Sequence, residues 1–259
     1  MKVAFWSGEA EVCNATGYFA AIGVLCAKKY ERPVYLGRNY CSNKCLKQYF
    51  FAGELCCDKE RDVFSYTCGE PEYFRKLWEK NRIYSKDLIT REGIRLLRPP
   101  GWSDSSMFYR NTNREAFYFI ELSKGINASV QSALEEADIV VIFLKQNFKE
   151  IRLFFQKFSS LIPKAIFIFT EYRRNTKCTP GYLRRIYGIS AACIGMIPVC
   201  SEHRQACEEG RIEEYICGHM GQEKKDVNFE FLKQLNNLAE KIVNLEEERR
   251  GRMTDEVQE

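Results

Sequence analysis

The sequence predicts an α/β fold built on a mainly parallel sheet with helices on both faces. Strand-length apolar runs recur along the chain, separated by runs with helical spacing. The strand runs lack the alternation of a sheet with one wet face, so each is covered on both sides. At 259 residues and 45% hydrophobic content, the chain can bury one large core.

The elements follow in order. Residues 2–7 form a short apolar run that reads as the first strand, and 15–28 have the length and alanine content of a helix. A second strand is expected over 33–37. Residues 41–91 are rich in charge, aromatics and cysteine with no dominant period, and read as an irregular insertion. A strand over 93–97 stops at Pro99-Pro100, which cannot continue a ladder. Strand 117–122 and helix 127–137 lead into 138–144, the clearest strand of the chain. Residues 148–161 have helical spacing, 165–170 form a strand, and Thr179-Pro180 starts a helix over 180–187. A last strand spans 192–198, and helices are expected over 202–216 and 229–245. The second helix carries an apolar stripe at Phe231, Leu232, Leu235, Leu238, Ile242 and Leu245, which packs on the sheet. Residues 1–245 therefore read as one domain, and 246–259 as a charged, frayed tail.

Composition narrows the function classes. Lys and Arg total 39 against 35 Asp and Glu, a net charge of +4, and the basic residues are scattered rather than clustered, which does not mark a nucleic-acid binder. No apolar run reaches the roughly 20 residues that a membrane span needs. The opening Met1-Lys2-Val3-Ala4-Phe5-Trp6 has none of the pattern of a secretory leader, so the chain is read as cytoplasmic. The 12 cysteines sit in a chain large enough to have its own core, and are expected to be mostly reduced thiols. Cys41, Cys45, Cys56, Cys57 and Cys68 fall close together, but without the tight pairs usual for zinc, so zinc is not expected.

Several stretches, in this order, resemble the deviant-Walker P-loop ATPases of the ParA/MinD type. Lys2-Val3-Ala4-Phe5-Trp6-Ser7, a loop, and then Thr16-Gly17-Tyr18-Phe19-Ala20-Ala21 resemble the first strand, phosphate loop and following helix. Phe117-Tyr118-Phe119-Ile120-Glu121-Leu122-Ser123-Lys124-Gly125 is similar to the apolar strand that ends in a Walker B acid, followed by a switch glycine. The most specific stretch is Ser132-Ala133-Leu134-Glu135-Glu136-Ala137-Asp138-Ile139-Val140-Val141, and Ile197-Pro198-Val199 with Ala206 and Glu209-Gly210 supplies a fourth. The resemblance covers roughly 1–29 and 116–245, and implies a three-layer P-loop NTPase architecture.

It also implies a site. A phosphate loop needs converging N–H groups, glycines, a lysine, and a Thr or Ser for magnesium. Between Ser7 and Thr16 stand Gly8-Glu9-Ala10-Glu11-Val12-Cys13-Asn14-Ala15, with one glycine, no lysine and two carboxylates. Cys13 or Asn14 falls where the family's catalytic lysine belongs. The resemblance assigns nucleotide contacts to Gly8, Cys13, Asn14, Ala15, Thr16, Gly125, Tyr172 and Pro198, and magnesium to Thr16 and Glu121. The residues themselves leave alternatives open: Thr16 as an N-cap, Glu121 in a salt bridge, Gly125 as a turn glycine, and Asp138 as a turn or cap residue outside the site. His203 and His219 are the only histidines, and neither neighbours a plausible nucleophile arrangement in sequence. The basic run Tyr172-Arg173-Arg174-Asn175-Thr176-Lys177, with Arg184-Arg185, reads as a solvated face or a contact for DNA phosphates or an acidic partner.

Two functions follow from these readings. In one, an ATPase-fold protein binds ATP and magnesium weakly or in a modified way, with low hydrolytic power, in a partitioning or positioning role. In the other, a pseudo-ATPase scaffold recognises a protein partner without nucleotide. Relatives form nucleotide-sandwich homodimers, which makes a homodimer a third expectation.

Overall fold

The computed structural model describes residues 1–10, 12, 14–32, 34–38, 46–50, 63–66, 116–221 and 228–255. Cys13, the five clustered cysteines and the strand expected over 93–97 lie outside the described residues.

The sheet has seven strands: β1 (Lys2–Trp6), β2 (Val34–Arg38), β3 (Val63–Tyr66), β4 (Phe117–Glu121), β5 (Ile139–Leu144), β6 (Ala165–Tyr172) and β7 (Ile194–Pro198), in the spatial order β3-β2-β4-β1-β5-β6-β7. Six of these run parallel, and β3 pairs antiparallel with β2 at the edge. β3 falls within the stretch read as irregular; its four residues carry too little pattern to be seen in sequence.

The helices are α1 (Ala15–Tyr30), α2 (Ala128–Glu136), α3 (Phe148–Lys157), α4 (Pro180–Tyr187), α5 (Ser201–Glu209), α6 (Ile212–His219) and α7 (Phe229–Asp255). Successive strand residues point to opposite faces, and the packing shows it. Val3 and Phe5 join a core with α1, α6 and α7, whereas Ala4 and Trp6 join one with α2, α3 and α4. Both layers are thus covered, which is why the strand sequences are apolar throughout. Residues 17–27 of α1 are all buried, and the helix is apolar on every side.

Three boundaries differ from expectation. The helix read over 202–216 is two helices, because Gly210 at φ 69° ends α5 and its N–H bonds back to Ala206. Helix α3 stops at Lys157 and passes into a 3-10 turn, Ser159–Lys164, that carries Pro163. Helix α7 continues to Asp255, through much of the stretch read as a frayed tail. Among the described residues, no helix is long and apolar enough to cross a membrane. The six described cysteines, including Cys26 and Cys193, form no disulfide with one another.

Candidate phosphate-binding site

Strand β1 lies between β4 and β5, and the chain turns outward in both directions from it. The crevice beyond the carboxyl ends of these strands is where open α/β sheets hold ligands. The loop after β1 and the start of α1 occupy that crevice. A cavity of about 390 Å³ there is lined by residues that include Ser7, Ala10, Asn14, Ala15, Thr16, Tyr49, Glu121 and Lys124. The positive end of α1 opens onto it.

The loop is shaped from within. Gly8 adopts φ 66°, a conformation open to glycine at little cost. Its carbonyl accepts from the Gly125 N–H at 2.8 Å, and Gly125 itself turns at φ 80°. The N–H assigned to a switch contact is therefore committed to the loop carbonyl. Trp6, 1% exposed, donates its indole N–H to the carbonyls of Ser123 (3.1 Å) and Gly125 (3.2 Å), which pins the backbone on either side of Lys124.

Asn14 is the N-cap of α1, in the left-handed conformation at φ 56°, with no side-chain cap bond. Its amide nitrogen instead lies 3.2 Å from His203 Nδ1. His203 is buried, stacked on Tyr18 with ring centroids 5.5 Å apart, and its Nε2 stands 3.6 Å from Cys207 Sγ. Burial pushes the His203 imidazole down to about 4, against a weaker opposing hydrogen bond that the ring gives to the Gly17 backbone, so the ring is neutral. Gly17 has no room for a side chain: a Cβ there would meet the Asn14 amide and sit 2.7 Å from Cys207 Sγ.

Because Asn14 caps the helix, Thr16 lies inside it, and the capping alternative for Thr16 does not hold. Its hydroxyl donates to Glu121 Oε1 at 2.7 Å. Glu121 Oε2 accepts from Arg38 Nε at 2.9 Å. Arg38 and Glu121 are register partners at the ends of β2 and β4, 1% and 4% exposed. Both carboxylate oxygens thus hold internal partners, and one partner is a buried cation. Tyr49 completes this corner; burial, opposed by Arg38, raises its hydroxyl above the usual range.

These residues do not fit a magnesium ion. A divalent cation at Thr16 and Glu121 would share the carboxylate with a guanidinium, and a doubly and a singly positive charge ~4 Å apart at an effective dielectric of about 20 repel by about 8 kcal/mol. Among the described residues, no group of three or more His, Cys, Asp or Glu could hold a metal.

Of the residues assigned from sequence, Asn14, Ala15, Thr16 and Glu121 line one cavity, and Gly8 and Gly125 brace its wall. Tyr172 and Pro198 are paired with each other on β6 and β7 and do not line it. Asp138 stays outside, accepting the Lys2 N–H at 2.7 Å. Arg38, Lys124 and His203 were not singled out for the site. A charged residue closing each of two apolar strands, Arg38 and Glu121, was the available signal for the first. The basic run after β6 is exposed at Arg173, Arg174 and Lys177, its loop held by Gln146, which accepts from the Arg173 N–H at 2.7 Å and donates to the Cys178 carbonyl at 2.8 Å.

No family model matches the chain, and no curated protein matches it. Solved structures do. The MinC:MinD cell division protein complex of Aquifex aeolicus superposes with a TM-score of 0.62 at 13% identity, covering 94% of this chain and 96% of that one. The septum site-determining protein MinD complexed with Mg-ADP from Pyrococcus horikoshii gives 0.56 at 12% identity, covering 93% and 96%. The structure of pNOB8 ParA bound to nonspecific DNA gives 0.54 at 14% identity, covering 95% and 99%. The chain has the ParA/MinD-like P-loop NTPase fold.

Proposed function

We propose that this chain is a ParA/MinD-fold protein that holds a nucleotide in a modified phosphate site, hydrolyses it slowly or not at all, and serves in partitioning or positioning. The observation that carries the reading is the cavity at the switch point, where Asn14, Ala15, Thr16 and Glu121 come together without a loop lysine. Phosphate binding rests there on the α1 terminus and on basic groups from outside the loop. Slow turnover follows from the missing lysine and from Glu121, whose charge is shared with Arg38. The likeness to a MinD held in a MinC complex and to a ParA on nonspecific DNA supports a protein or DNA partner. The exposed Arg173, Arg174, Arg184 and Arg185 suit an acidic one.

Calorimetric titration of ATP into the purified protein tests this. Saturable heat that Thr16→Ala weakens supports the reading. The absence of heat at millimolar ATP contradicts it and favours the second reading, a pseudo-ATPase scaffold. That alternative draws on one observation: the Thr16 hydroxyl, both Glu121 oxygens and Arg38 Nε already bond to one another within the corner.

A further inference from the structure

We infer that Arg38 takes the place of the divalent cation in this site, and that the chain binds a nucleoside triphosphate without a metal, Lys124 supplying the ammonium that the loop lacks. The inference rests on the nucleotide reading above and deepens it.

Divalent cations serve such sites by neutralising phosphate charge against a protein carboxylate. Here the carboxylate already has its cation. Arg38 is fixed in the sequence at the end of β2, level with Glu121, and buried to 1% exposure, so the pair is a permanent part of the sheet end. The guanidinium cancels the Glu121 charge, and the corner beside Thr16 needs no metal to admit an anion.

Lys124 adds a net positive charge to the same cavity. It is exposed, and its backbone is held on both sides by Trp6 and through Gly125 by Gly8. The lysine is therefore positioned by a rigid turn, although it lies outside the loop. Glu9, one of the two loop carboxylates that would oppose phosphate, pairs with Lys157 at 2.8 Å and lines a neighbouring cleft rather than the Thr16 cavity; the other, Glu11, lies outside the described residues.

The test is calorimetric titration of ATP into the full chain in buffer with excess EDTA and in buffer with excess magnesium, for the native protein and Lys124→Ala. The expected result is binding in EDTA at least as tight as in magnesium, weakened about tenfold or more by Lys124→Ala, the equivalent of about 1.4 kcal/mol. Because Lys124 is exposed, circular dichroism of the variant should match the native chain. Binding seen in magnesium alone overturns the inference and leaves the nucleotide reading standing. No binding in either buffer overturns both. Unchanged affinity in Lys124→Ala overturns the role given to that lysine.

Discussion

Arg38 and Glu121 face each other across adjacent parallel strands, joined at 2.9 Å and almost wholly buried. Breaking such a pair strands a charge in the interior. Arg38→Ala should lower unfolding free energy by about 3–5 kcal/mol, and the pair replacement Arg38→Met with Glu121→Leu should recover most of the loss. Urea denaturation measures both. A loss below ~1 kcal/mol for the single variant would show that the pair is solvated.

His203 couples pH to the loop. Its pKa is held at about 4 when folded and returns to about 6.5 on unfolding. Between these values the unfolded chain binds the extra proton, so stability should fall as pH drops from about 6.5 to 4. The full span is on the order of 3 kcal/mol from this residue, with no contribution above 6.5. His203→Gln should flatten that slope in denaturation curves taken at pH 7 and pH 5. An equal slope in the variant would assign the effect to carboxylates.

Gly125 turns at φ 80° in open space, where an added Cβ touches nothing. The cost of Gly125→Ala is then backbone strain alone, about 1–2 kcal/mol. The same change should loosen the Gly8 carbonyl contact, read as faster hydrogen exchange at the Gly125 position relative to core strands. Unaltered stability would mean that the turn can rearrange.

Gln146 secures the basic loop through bonds to the backbone of Arg173 and Cys178. Gln146→Ala should leave the core intact and speed tryptic cleavage after Arg173 and Arg174, checked by mass spectrometry of limited digests. Cleavage at the native rate would indicate that the loop is held by other contacts.

The fold was legible in sequence because buried parallel strands are written as unbroken apolar runs, as in Ile139–Leu144, and because the helices between them repeat. Thr16 and Glu121 were legible because one follows a strand and loop, and the other ends an apolar strand, that resemble known ones, and the structure puts the Thr16 hydroxyl 2.7 Å from Glu121 Oε1. Arg38 was not, since its meaning depends on β2 pairing with β4, a contact between residues 83 positions apart. His203 was missed for a similar reason: its role comes from Asn14, 189 residues away, and burial alone keeps it neutral. The break at Gly210 could have been read, since a glycine past Glu209 is a common helix stop.

Phosphate release from ATP, measured at concentrations where bound nucleotide has been verified, tests the central claim most directly. The account predicts bound ATP and turnover at the buffer blank or only slightly above it, unchanged in Glu121→Gln. Turnover above the blank that Glu121→Gln abolishes would contradict it, because Glu121 would then be acting as a catalytic acid despite its bond to Arg38.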